Sequence, residues 1–176
     1  MTLESSVASV NSALQRARKA VDERLPDQSQ QQTLRALGDD RLRAVVEGYM
    51  EAWERGDVDA VAAMLAEDAI LTMPPMPTWY RGREAIEVFL RDFAFAKPWT
   101  GEEFTPGDRD VRLLPTRASG QIAFAAYRRD DDRGGAYFPY ALQILTLDGE
   151  RITELIGYVT PDAFSHFDLP AELPAE

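Results

Sequence analysis

The sequence predicts an α+β domain in which three helices pack on a strongly bent antiparallel sheet of four or five strands, preceded by a separate N-terminal helix. Three observations carry that class. Apolar residues recur at helical spacing between residues 42 and 93. Beyond residue 110 they recur every second residue. Turn-forming pairs then punctuate the second half at hairpin intervals. Helices and a sheet that each carry one apolar side must cover one another, because water rejects both surfaces.

The elements follow in order. Val7, Val10, Leu14, Ala17, Val21 and Leu25 mark an amphipathic helix with Ser6 as its N-cap, and Pro26 follows its end. Residues 27–38, DQSQQQTLRALG, read as a polar linker with one helical turn. Asp39 or Asp40 is then placed to cap a long helix whose stripe is Leu42, Val45, Val46, Tyr49, Met50 and Trp53. Gly56 ends that helix, and Asp57 caps a shorter one bearing Val58, Val61, Met64 and Leu65. Glu67 and Asp68 read as a cap or turn before a strand with Ala69, Leu71 and Met73 on one face. Pro74, Pro75 and Pro77 stop that strand, since proline cannot donate to a ladder.

A third domain helix begins after Gly82, with Ile86, Phe89, Leu90 and Phe93 on its stripe. Residues 97–107 hold two prolines and two glycines and read as loop or irregular edge strand. Strands are expected at residues 110–115, 119–129, 136–147 and 151–159, with Asp148-Gly149 as the strongest hairpin pair. Pro139 marks an edge or a bulge inside its strand. The expected inward sets are Ile122, Phe124 and Ala126, then Phe138, Tyr140, Leu142 and Ile144, and finally Ile152, Ile156 and Tyr158.

Composition bounds the function. The 176 residues suit one domain with an appendage, and 45% hydrophobic content supports a genuine core. No apolar run is long enough to span a membrane and no apolar leader is visible, so a cytoplasmic location without membrane contact is the expectation. The absence of cysteine removes disulfides and thiolate chemistry. The only histidine, His166, has no metal-ligating neighbours, so neither a metal nor another cofactor is expected. The net charge of −11 opposes nucleic-acid binding over most of the chain. It is uneven: residues 1–43 carry seven basic and six acidic residues, and residues 44–176 carry twelve and twenty-four.

The arm SVASVNSALQRAR resembles the last helix of region 4 in extracytoplasmic-function sigma factors, the recognition helix of a helix-turn-helix. The resemblance implies that Ser9, Asn11 and Ser12 face base edges and that Arg16 meets a base or phosphate. It divides the chain into a region 4 remnant (1–26), the linker (27–38) and a second domain (39–176). The partner helix of the motif and the region 2 helices are not in the sequence, so promoter DNA is expected to bind only through a complete region 4. The chain is expected to be the tail end of a longer sigma factor. ERGDVDAVAAMLAEDA, WYRGREAI and GERITELIGYVTP resemble the cone-shaped fold shared by nuclear transport factor 2, the polyketide cyclase SnoaL and ketosteroid isomerase. Together the two halves resemble the SnoaL-like C-terminal extension of an extracytoplasmic-function sigma factor.

That resemblance implies contacts with sigma regions 2 and 4 and RNA polymerase, modulation of transcription initiation, and a homodimer formed through the sheet. It also implies a cone that takes a small apolar ligand. Tyr49, Trp53, Met73, Met76, Trp79, Phe89, Phe124, Tyr140 and Tyr158 are the candidate lining. Trp79 and Tyr80, after three prolines, are the candidate partner contacts. Catalysis is not expected and no catalytic residue is assigned. The cone of ketosteroid isomerase pairs a base with an acidic oxyanion donor, and here only Glu154 shares the phase of Ile152 and Ile156. Its alternative reading is a rim carboxylate paired with Arg151 or a neighbouring strand. The competing functional class is a SnoaL- or ketosteroid isomerase-like enzyme, or a stand-alone small-molecule binder.

Overall fold

The computed structural model describes residues 6–22, 28–95 and 111–175. The loop expected at 97–107 lies outside the described residues, as does the segment 23–27. Helix α1 (Val7–Asp22) starts as its sequence dictates, with the backbone N–H of Ser9 donating to Ser6 Oγ at 3.2 Å. Every side chain described along it is exposed, including Val7, Val10 and Leu14.

The stretch read as a linker contains a helix, α2 (Gln30–Leu37), which corrects that expectation. Ser29 and Gln32 close a capping box at its start. Leu34 is buried in the core, and the Gln30 amide both donates to and accepts from the backbone of Leu147. The glutamine run looked like solvated linker because its anchoring is side chain to backbone, which leaves no apolar periodicity.

Helix α3 (Asp39–Glu54) follows Gly38, whose φ of 78° makes the sharp corner. Asp39 and Asp40 sit in the first turn, where they favour the helix dipole, and neither supplies the expected side-chain cap. Val45, Tyr49, Ala52 and Trp53 form its buried face. Gly56 takes a φ of 64° and Asp57 Oδ1 accepts from Ala60 N at 2.9 Å, which starts α4 (Val58–Met64) as expected. Strand β1 (Leu65–Thr72) follows directly, and Glu67 and Asp68 lie exposed within it at an irregularity of its pairing rather than in a cap. Then come β2 (Trp79–Arg81) and α5 (Arg83–Phe89), which runs into a π-helical turn at Leu90–Ala94. The wider turn breaks the 3.6 period, so Phe93 turns outward while Leu90 stays fully buried.

Strands β3 (Val111–Ala118), β4 (Gln121–Asp130), β5 (Ala136–Asp148) and β6 (Arg151–Tyr158) form consecutive antiparallel pairs. The sheet order is β2-β1-β6-β5-β4-β3. It is mixed rather than purely antiparallel, because β1 lies parallel to β6. Hairpin spacing shows only neighbours in sequence, so this long-range pair was not legible. Ser119 and Gly120, both at positive φ, form the β3–β4 turn, one residue beyond the strand start that the sequence pattern predicts.

Two bulges correct the inward sets. On β5, Pro139 pairs with Tyr127 and Ala141 with Ala126, which leaves Tyr140 as the extra residue beside the proline. On β6, Ile152 pairs with Leu147 and Glu154 with Thr146, which leaves Thr153 extra. Each extra residue shifts the alternation by one. Ala141, Leu145 and Leu147 therefore join the core in place of Leu142 and Ile144, and Leu155 joins it in place of Ile156 and Tyr158.

The opposite face of the sheet has its own small cluster of Ala125, Tyr127, Tyr137 and Phe164. A 3₁₀ turn at Pro161–Phe167 and the chain beyond it cover this cluster. Tyr127 donates its hydroxyl hydrogen to Pro170 O at 2.8 Å, and Leu173 and Tyr137 exchange backbone hydrogen bonds. His166 is exposed on that turn.

Phe124 is fully buried between α3 and the sheet, so Phe124→Ala should lower the unfolding free energy by about 3–5 kcal/mol. Val88→Ala, at a position 56% exposed, should change it by less than about 0.5 kcal/mol. Urea unfolding followed by circular dichroism reads both.

Candidate functional site

Helices α3 and α5 and the inner face of the bent sheet enclose a cavity of about 450 Å³. Its walls are chiefly apolar: Leu71 and Met73 from β1 and its end, Phe89, Leu90 and Phe93 from α5 and its π-turn, Ala126 from β4, and Leu155 and Val159 from β6 and its end. Small residues at Ala126, Ala141 and Gly157 form the floor, and the space above them is the volume that larger side chains would have filled.

The polar groups are few. Gln143 lies on β5 between the apolar residues Leu142 and Ile144, is 5% exposed, and lines the cavity. Tyr49, fully buried on α3, donates its hydroxyl hydrogen to Gln143 Oε1 at 3.0 Å. Burial drives the Tyr49 pKa far above that of a free tyrosine, with a small opposing effect from the nearby Trp53 indole. That indole nonetheless falls short of hydrogen-bond geometry, so Trp53 Nε1 is buried without a partner. Two charged side chains line the cavity. Glu54 Oε1 accepts from Leu113 N at 3.0 Å, and the Arg128 guanidinium lies 5.2 Å from the centre of the Tyr140 ring. Aromatic rings continue along the wall, with Tyr80 and Phe89 at 4.7 Å and Phe89 and Phe93 at 5.9 Å between centroids.

Five of the nine residues expected to line the cone do so: Trp53, Met73, Met76, Phe89 and Tyr140. Tyr49 and Phe124, 4.9 Å apart, pack behind the wall. Tyr158 is carried off the inner face by the β6 bulge. Trp79 and Tyr80 alternate across β2, so Tyr80 lines the cavity while Trp79 stays 64% exposed. Glu154 lies outside the cavity and accepts from Thr146 Oγ1 of the neighbouring strand at 3.3 Å. Ser9, Asn11, Ser12 and Arg16 are all exposed on α1, and Ser9, Ser12 and Arg16 share one face. Sequence reasoning missed Gln143, Glu54 and Arg128. Gln143 had a signal, as the one amide in an otherwise apolar stretch of strand. Among the described residues no group of acidic or histidine side chains is arranged to hold a metal ion, and no helix is long and apolar enough to cross a membrane.

A helix-covered, bent sheet around an internal cavity defines a cone-shaped α+β domain of the nuclear transport factor 2 type. The SnoaL-like domain family matches residues 46–155, and the chain belongs to that family. Over 176 residues it is 32% identical to the ECF RNA polymerase sigma factor SigG of Mycobacterium tuberculosis, in both the CDC 1551 and H37Rv strains. That alignment takes in 96% of this chain and 42% of the relative, so the chain spans less than half the length of those curated relatives. It is also 31% identical over 122 residues to the steroid Δ-isomerase of Nocardioides simplex, covering 68% of this chain and 90% of that one. Two solved structures share the fold at a TM-score of 0.51. One is an NTF-2-like protein of unknown function from Burkholderia xenovorans, at 17% identity over 77% of this chain and 88% of that one. The other is a de novo designed protein with a curved β-sheet, at 14% identity over 73% and 93%.

Tyr49→Phe removes the only donor to Gln143 Oε1 among the described residues and should cost about 1–3 kcal/mol of stability. Because folding raises the Tyr49 pKa, its contribution is fully present below the ordinary tyrosine value of 10.0 and falls as pH rises above it. Alkaline loss of stability should therefore be shallower in Tyr49→Phe. It should not vanish, because burial raises Tyr127 as well. Denaturant unfolding between pH 8 and 11, on the order of one titration range around the tyrosine value, measures the difference.

Proposed function

We propose that this chain is the C-terminal regulatory part of an extracytoplasmic-function RNA polymerase sigma factor. It modulates transcription initiation through contacts with sigma regions 2 and 4 and the polymerase, in the cytoplasm, and its cone holds a small apolar ligand. The observation that carries this reading is the extent of the similarity to SigG. It takes in 96% of the chain, and so the N-terminal arm as well as the SnoaL-like cone. An enzyme of the cone alone would leave the arm unmatched.

The physical features agree with a regulatory role. Helix α1 is exposed along its whole described length, its apolar positions included, which suits a helix that packs in a larger assembly. In a complete region 4, Ser9, Asn11, Ser12 and Arg16 would meet promoter DNA. Trp79 is 64% exposed beside a run of prolines that restricts the loop, so it loses little entropy when it is buried by a partner. Tyr80 is already committed to the cavity wall, which leaves Trp79 as the outward anchor. The acidic domain, with twelve more acidic than basic residues over 44–176, would compete with DNA for a basic face.

A second reading, a SnoaL-like isomerase, is favoured by the steroid Δ-isomerase relative and by Glu54, a carboxylate on the cavity wall. Turnover of a steroid with an isomerisable ring double bond, lost in Glu54→Gln, would establish it.

The sigma-factor reading is tested by promoter-directed transcription with core polymerase and the full-length gene product. Removing residues 39–176 should raise output, and Trp79→Ala should move it the same way by about fivefold or more if Trp79 anchors the contact. Equal output from all three proteins would overturn the proposal.

A further inference from the structure

The outer face of the sheet holds the chain's own end in a repeated way. Residues 169–174, LPAELP, contain two Leu-Pro units four residues apart. Leu169 and Leu173 both pack on the cluster of Ala125, Tyr127, Tyr137 and Phe164. The carbonyl of the proline that follows each leucine accepts from a side chain of the sheet. Pro170 O accepts from the Tyr127 hydroxyl at 2.8 Å, and Pro174 O from the Arg112 guanidinium at 3.3 Å. Arg112 in turn lies over the Tyr137 ring, 4.4 Å from its centre. Leu173 and Tyr137 exchange backbone hydrogen bonds of 2.8 and 2.9 Å, as one residue of an added strand would. Proline suits its two positions, because it brings no N–H that needs a partner and keeps the leucine before it extended.

This occupant is lightly held. Pro170, Ala171, Glu172 and Pro174 are exposed, and Leu169 and Leu173 are only half-buried. Upstream, Phe164 is 3% exposed and anchors the 3₁₀ turn on the sheet. Between anchor and end stands Asp168, whose φ of 54° turns the chain off the 3₁₀ helix. Rotation at that corner lets the end leave the sheet without moving Phe164 or the core beneath the helices.

We propose that this outer face is a docking groove for extended segments of the form Leu-Pro-x-x-Leu-Pro, with the chain's own end as its tethered resting occupant. A partner protein that presents such a segment binds by displacing residues 169–174. The bound end defines what the groove accepts. Two leucines fill the aromatic cluster, the proline carbonyls meet Tyr127 and Arg112, and the two residues between the units face solvent and are unconstrained. Aromatic-lined grooves suit proline-stiffened segments, which lose little entropy on binding. The groove lies on the side of the sheet opposite the cavity, so the inference is independent of what the cone holds.

The test uses the full chain and a synthetic peptide with the sequence of residues 168–175, DLPAELPA. Leu169→Ser with Leu173→Ser frees the end and leaves the groove untouched. By titration calorimetry this variant should bind the peptide about tenfold more tightly than the wild type, whose tethered end competes at an effective concentration in the millimolar range. A peptide with serine in place of both leucines should bind neither protein. Adding Tyr127→Phe to the freed variant should weaken the peptide about three- to tenfold, the worth of one hydrogen bond. Amide exchange supplies a readout in the wild type alone: the Tyr137 N–H, donated to Leu173 O, should exchange faster than amides in the middle of β5. Equal peptide affinity in the freed variant and the wild type, or undiminished binding of the serine peptide, would overturn the groove. Exchange of Tyr137 together with the core would overturn the displaceable end.

Discussion

The alternation of the bent sheet is the constraint on which this domain depends. A strand has two faces, and a single extra residue exchanges them. The bulges at Tyr140 and Thr153 reset the inner face of β5 and β6 partway along each strand. Leu145 and Leu147 of β5 and Ile152 of β6 fill the core, and Ala141, Gln143, Leu155 and Gly157 line the cavity. Without the reset, Leu142, Ile144 and Ile156 would occupy that space and the cone would be solid. The bulges also increase local twist, which bends the sheet far enough for α3 and α5 to close over it.

The elements read from sequence fall where their chemistry is local. Gly56 and Asp57 mark the α3–α4 corner, Gly82 precedes α5, and Asp148-Gly149 turns β5 into β6. The failures share a different cause. The β1–β6 parallel pair joins segments some eighty residues apart in sequence, so no short-range pattern encodes it. Helix α2 is held by the Gln30 amide on Leu147, a contact that polar composition disguises as linker. Pro139 warned of a bulge, yet the rule that predicts a bulge does not say which neighbour is extruded, and the phase of β5 turns on that choice. The lining of the cone was accordingly legible on the helices and at the end of β1, at Trp53, Met73 and Phe89, and not on the strands after the bulges, at Tyr158 and Gln143.

The two faces of the sheet are used differently, and this bears on where a partner can approach. The inner face encloses the cavity. On the outer face the segment 161–174 lies over Tyr127 and Tyr137, with Leu173 paired to Tyr137 as a further short bridge. The proline-containing end of the chain, extended as its prolines require, is thus spent on its own domain. A surface that already carries such a cover is a poor docking site, because any partner must first displace hydrogen bonds and buried aromatic area.

Other large apolar side chains stay exposed. Trp79, Met76 and Phe93 are all substantially exposed, and two of the three also line the cavity. The same side chains therefore border the interior and the outer surface. A ligand that fills the cone would meet Met76 and Phe93 from within, whereas Trp79 faces away from it. Binding energy in the cone can change the outer surface only if those side chains take up two arrangements. Phe93 is suited to that: the π-helical turn that carries it lies between fully buried Leu90 and buried Phe95, so the turn is pinned at both ends while its middle faces outward.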